Sequence, residues 1–137
     1  MLTSPKRENA VIPELDSTES REAMAKLVTR LFDLWNLDTA TQLNLLGLSK
    51  TSRAMLTKYR KGSPLSANRD TLDRVGWLLA IHKALRLLYP NNQKLRSQWV
   101  KLRNRALGDH TPLDEMTEQG LIGIARVARY LDYQRGR

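Results

Sequence analysis

The stretch LLGLSKTSRAMLTKYRKG, residues 45–62, decides how this chain is read. It runs from an apolar helix end through a glycine to a serine and a basic, amphipathic segment. Gly47 suits the left-handed residue that closes a helix, because glycine takes positive φ without a Cβ penalty. Ser49 is a predicted cap for a second helix through about Lys61, where Gly62 ends it. With Leu48, Ser52, Met55, Leu56 and Tyr59 on the buried face, Lys50, Thr51, Arg53, Thr57, Lys58, Arg60 and Lys61 face outward. This is the layout of a helix-turn-helix, whose second helix enters the major groove. Ser49, Lys50, Thr51, Arg53, Thr57, Lys58 and Arg60 are the candidate DNA contacts, being residue types that meet phosphates and base edges. A solvated basic helix in an ordinary bundle is the alternative. The flanks match the usual motif loosely: Leu43 and Arg53 stand where small or apolar residues are typical, and the second helix looks longer than usual.

Charge elsewhere supports a polyanion partner. The 137 residues carry a net charge of +9. Residues 1–37 and 108–137 are each −1, whereas residues 38–62 are +4 and residues 63–107 are +7. Basic charge gathered in the middle is a footprint of nucleic-acid binding, although a solvated positive face gives the same composition. The 41% hydrophobic content is that of a folding chain. Cysteine is absent, which excludes disulfides and thiolate metal sites. No apolar run reaches the ~20 residues of a membrane span, so a cytoplasmic location is expected.

The remaining segments read as helices. Residues 1–16 hold two prolines without periodicity and are an expected flexible arm. DSTES (residues 16–20) supplies a cap for a helix over residues 18–36, with Met24, Leu27, Val28, Leu31 and Trp35 on one face. Asp38 or Thr39 caps a short helix through Leu46. After the loop GSPLSAN, a long helix over residues 69–89 carries two apolar stripes. Val75, Leu78, His82, Leu85 and Tyr89 form one; Trp77, Ile81, Ala84 and Leu88 form the other. A helix apolar on two sides must be covered on two sides. It is either central in the monomer or uses Trp77, Ile81, Ala84 and Leu88 as a dimer interface. A basic segment then leads to a turn, a short helix from Pro112, and a last helix over residues 118–133 with Leu121, Ile124, Ala125, Ala128 and Leu131 on one face. No stretch alternates with the period of a strand. The expectation is an all-α, compact multi-helix bundle, divided as arm 1–16, helix-turn-helix region 17–67 and C-terminal domain 68–137.

Catalysis finds no support. There is no phosphate-binding glycine loop, no nucleophile with a histidine partner and no paired carboxylates. His82 lies on an apolar stripe, as a core or interface histidine does, and His110 sits in a turn as a hydrogen-bonding residue. Neither has metal-ligand spacing, and no metal or other cofactor is expected.

The C-terminal half resembles the toxin-binding domain of the Xre/MbcA/ParS antitoxin family. The resemblance is carried by the helix from Trp77 to Tyr89 with Pro90, then Trp99, Asn104, Gly108, Thr111, Pro112, Leu113 and Gly120, and by the closing Tyr130, Leu131 and Asp132. It spans roughly residues 25–135, with the helix-turn-helix in the expected place. It implies a non-catalytic, dimeric antitoxin of a type II toxin–antitoxin pair, whose C-terminal domain covers the active site of a RES-domain, NAD-depleting toxin while the helix-turn-helix binds the operon's promoter. Toxin contacts are then expected on Asp109, Thr111, Pro112, Arg126, Arg129, Tyr130 and Tyr133, with Arg135 and Arg137 of the tail YQRGR. A solvated terminus is the alternative for those last two arginines. Two other functions stay open: a dimeric helix-turn-helix regulator without a toxin partner, and a structural role of the kind ascribed to relatives in plasmid partition.

Overall fold

Local capping signals set most helix boundaries. In the computed structural model, which describes residue 14 and residues 16–136, α1 spans Thr18–Leu34 and starts where the Ser17 side chain accepts from the Ser20 amide. Asp38 accepts from the Thr41 amide and begins α2, Thr39–Leu46. Gly47 closes α2 at φ 72° and ψ 23°, the left-handed conformation its sequence position calls for. The next helix, α3, is described below. Asn68 caps α4, Arg69–Leu88, and Asn92 caps the short α5, Gln93–Gln98. Two 3-10 turns, Trp99–Lys101 and Arg105–Leu107, then lead to α6, Pro112–Arg135. The expected arm lies mostly outside the described residues.

One boundary differs clearly from expectation. The helix after Gly47 starts at Arg53, not beside Ser49, so α3 is the eight-residue span Arg53–Arg60. Residues 49–52 instead close a turn, with the Ser52 amide donating to the Ser49 carbonyl. The Ser49 hydroxyl is taken up by those of Thr51 and Ser52, at 2.8 and 3.1 Å. α3 is thus short, where the sequence suggests a longer helix. In α6, Gly120 has φ 65° and ψ −142°, which breaks the span into arms 112–119 and 121–135, matching the short helix from Pro112 and the separate last helix that the sequence predicts. That backbone conformation is close to glycine's own.

The fold is all-α, with six helices among the described residues and one isolated bridge between Asn104 and His110. One apolar core runs through the helices, from Ala25 and Phe32 of α1 and Trp35 just after it to Val127 and Leu131 of α6. Each fully buried Leu, Ile or Phe contributes roughly 1.5–3 kcal/mol. α4 is the axis, packed most extensively along α6 and also touching α1 and α2. Val75, Leu78 and Leu85 of one stripe and Ile81 and Ala84 of the other are inside, so the chain itself covers the middle of both apolar stripes of α4. Of the two readings left open for the second stripe, cover from within the chain accounts for Ile81 and Ala84. Ile81 and Ala84 are core residues with 0% and 5% exposure, leaving only Trp77 and Leu88 part-exposed.

Arg74 joins the two halves. Its guanidinium is ion-paired with Asp70 at 2.8 Å and reaches the Asn44 and Leu45 carbonyls at the end of α2 at 3.3 and 3.4 Å. Orphan carbonyls at a helix end favour a cation. Beside it, the Asn44 side-chain amide donates to the Thr117 carbonyl, tying α2 to the first arm of α6.

Candidate nucleic-acid and partner-binding surfaces

The α2–α3 region presents a basic face. Leu56 and Tyr59 anchor α3 in the core, with Met55 half-buried beside them. Ser49, Lys50, Thr51, Arg53, Thr57 and Lys58 are all exposed on the turn and helix. Arg60 is different. It turns back to pair with Asp33 of α1 at 2.5 Å and reaches the Gln42 side chain at 3.3 Å, so the fold engages its charge. A shallow groove beside α3 is lined by Asp38, Thr39, Ala40, Leu43, Lys50 and Arg53. Hydrogen bonds from the Thr41 side chain and amide hold the Asp38 carboxyl below its ordinary range.

A second surface is built on α6 and the loop before it. Thr111 and Asp114 form a reciprocal capping box at the start of α6, with Pro112 buried at its first position. Thr111 and Pro112, expected to meet a toxin, are therefore also what starts this helix. Asp109 sits just before them with φ 61° and pairs with Arg103 at 3.2 Å. The buried Glu115 carboxylate is bracketed by His110 Nε2 at 3.0 Å and by the Arg126 guanidinium. His110 is thus a loop hydrogen-bonding residue.

Beyond Gly120, α6 turns some expected contact residues outward and others inward. The Arg129 guanidinium lies 5.6 Å from the centre of the Trp77 ring, a cation–π contact that covers part of Trp77. The Tyr130 ring turns in and stacks on the largely buried Trp99, with centres 6.4 Å apart and planes 17° apart. Arg126, Arg129 and Tyr133 share the outer face. Arg135 pairs with Asp132 at 2.6 Å, and Arg137 lies outside the described residues. The outer face holds one residue that the sequence reading misses. Ile122 is 67% exposed and stands one turn before Arg126. The signal is present in the spacing 122, 126, 129, 133, which places four residues on one stripe of a helix. A large apolar side chain on that stripe is the kind of residue that anchors a protein interface.

Elsewhere, His82 of α4 is half-buried, and burial with the nearby Arg86 and Arg96 pushes its pKa below the ordinary histidine value. Among the described residues, no helix is long and apolar enough to cross a membrane.

Comparison with known proteins bears on the segment that carries this second surface. Residues 84–137 match the family described as the antitoxin Xre/MbcA/ParS C-terminal toxin-binding domain. The chain is also similar to the uncharacterized protein y4oB of Sinorhizobium fredii (strain NBRC 101917 / NGR234). The two are 34% identical over 123 residues, covering 88% of this chain and 92% of the relative. The matched domain begins inside α4 and takes in α5, the 3-10 turns and the whole α6 surface, and the chain belongs to the Xre/MbcA/ParS antitoxin family.

Proposed function

We propose that this antitoxin neutralises a RES-domain, NAD-depleting toxin by covering its active site, and that it represses its own operon through α2 and α3. The observation that carries the first half is the toxin-binding domain match over residues 84–137, which coincides with a stripe of Ile122, Arg126, Arg129 and Tyr133 facing outward. That stripe pairs an apolar anchor with cations and an aromatic ring, a composition suited to a protein interface. Asp109, in the loop before α6, and Arg135 and Arg137, at the end of the chain, are the further candidate contacts. The choice of a RES toxin rests on the sequence resemblance. The antitoxin is read as non-catalytic, acting in the cytoplasm as a homodimer. Since Ile81 and Ala84 are spent on the core, a second copy would meet other residues, with Trp77 and Leu88 the part-exposed remainder of that stripe.

The test is co-expression with the product of the adjacent gene. The antitoxin is expected to copurify with that protein and to restore growth that the protein alone arrests. Failure of both sinks the toxin reading.

The exposed cations at Lys50, Arg53 and Lys58 favour a second reading, a dimeric regulator that binds DNA and has no toxin partner. Reversing these three charges separates the two. For the antitoxin, repression is lost and neutralisation survives; for a plain regulator, all function goes.

A further inference from the structure

Cations from two distant parts of the chain lie near the start of α2, two lining the groove with Asp38 and one bonded to the Asn36 carbonyl. Lys50 and Arg53 come from the turn and the first residue of α3, and they line the groove that also contains Asp38 and Leu43. The third comes from the far side of α4. Lys101 ends the 3-10 turn after α5, and its ammonium donates to the Asn36 carbonyl at 2.9 Å. That carbonyl lies two residues before Asp38, and the Lys101 charge is among the influences on the Asp38 carboxyl. One hydrogen bond thus pins an exposed lysine of the toxin-binding half beside the α2–α3 groove. Asp38, the one carboxylate among the groove-lining residues, is held by the Thr41 amide at 2.8 Å. Lys50 and Arg53 share the groove with that single anion, and Lys101 is the cation whose charge acts on it. The surrounding sequence leans the same way. Between Asp73 and Asp109 the chain has eight lysines and arginines and no carboxylate, and Lys101 lies within the run KLRNR.

We propose that Lys101 is a DNA-backbone contact, by which the toxin-binding half supplies a phosphate-binding cation to the duplex engaged by α3. The proposal rests on the DNA-binding reading of α2 and α3. In that docking mode the second helix occupies the major groove and the first crosses the backbone. The strand passing α2 then runs between Lys50 and Arg53 on one side and Lys101 on the other. A lysine acts there as a point charge, releasing condensed counterions and carrying no sequence information. The exposed Leu102 beside it makes an acidic protein surface the competing partner.

The experiment is a salt titration of full-length protein on two labelled duplexes of equal length. One carries the DNA immediately upstream of the protein's own gene, and the other is its scrambled counterpart. Lys101→Gln is expected to bind both duplexes about eightfold more weakly at ~0.1 M salt, with the slope of log K against log salt reduced by about 0.9, the counterion term of one phosphate. Lys101→Arg should bind like the wild type, which separates lost charge from a disturbed fold. Equal weakening in both variants overturns the proposal, because the Asn36 contact is then the cause. Wild-type protein that shows no salt-dependent binding sinks the reading of α2 and α3 itself. If Lys50→Glu abolishes binding while Lys101→Gln leaves affinity and slope unchanged, the proposal alone fails. Lys101→Gln that keeps DNA binding but no longer copurifies with the adjacent gene product also overturns it, assigning the lysine to the protein partner.

Discussion

Gly123 in the second arm of α6 is pressed against the backbone of Glu115 in the first. A Cβ on Gly123 would sit far inside van der Waals contact of the Glu115 carbonyl and 2.8 Å from the Gln119 Cβ. The break at Gly120 folds the first arm back on the second, and backbone cannot yield as a flexible side chain does. Gly123→Ala is therefore expected to cost about 3 kcal/mol or more, at the upper end of overpacking penalties. Gly76 of α4 is the internal comparison, being helical with open space for 4 Å around the place a methyl would take. Gly76→Ala should stabilise by about 0.5–1 kcal/mol. Urea denaturation of both variants checks the pair, and a harmless Gly123→Ala would contradict the described packing.

Arg74 gives the second expectation. Its side chain is only 16% exposed, and it serves Asp70 in one direction and the two carbonyls ending α2 in another. Hydrogen bonds involving a charged group are worth about 1.5–3 kcal/mol, so Arg74→Ala should lose roughly that much. Arg74→Lys should recover less than half, since one ammonium cannot reproduce a fork spanning both directions. Full rescue by lysine would mean that charge alone matters there.

How much of this is legible in the sequence depends on how local the cause is. Ser17, Asp38 and Gly47 act within one turn of the chain, and each does what its position in the sequence suggests. The start of α3 is harder to place because Ser49, Thr51 and Ser52 are all capping types, and only the hydroxyl cluster shows that residues 49–52 close a turn first. The stripes of α4 are legible as apolar, but periodicity cannot say whether the cover comes from the same chain or another. α6 supplies it, from far along the chain. Glu115 has the sequence position of a solvated first-turn acid, and its burial against His110 and Arg126 depends on the bend at Gly120. Of the expected toxin contacts, Arg126, Arg129 and Tyr133 share a face because they share a helix, whereas Tyr130 turns in because Trp99 is there to receive it.

His82 sets a pH dependence. Its folded pKa lies below the ordinary histidine value, so the native state holds fewer protons than the unfolded chain once pH drops toward that value. Stability then rises with pH across this window, and it falls as acid protonates the unfolded state first. Between about pH 7.5 and about pH 5.5 the wild type should lose more stability than His82→Gln, whose side chain does not titrate. Parallel losses in the two proteins would remove His82 as the cause. Arg86→Gln, which removes one of the nearby positive charges, should make the wild-type decline shallower.

Arg126 has two duties that a double substitution can separate. It is half-exposed, on the outer stripe of α6, yet it is also the counter-ion of Glu115, whose side chain is 8% exposed. Arg126→Ala leaves that carboxylate with His110 alone, and an uncompensated buried charge costs about 1–3 kcal/mol where the lost partner is itself part-exposed. Adding Glu115→Gln removes the charge that needed compensation, so the double variant should regain most of the stability. Such coupling is expected for residues in direct contact. Capture of the adjacent gene product should behave differently. If Arg126 meets the toxin, binding stays weak in the double variant although its unfolding midpoint has returned toward that of the wild type. Binding that recovers together with stability would confine Arg126 to holding Glu115 and leave Ile122, Arg129 and Tyr133 as the docking stripe.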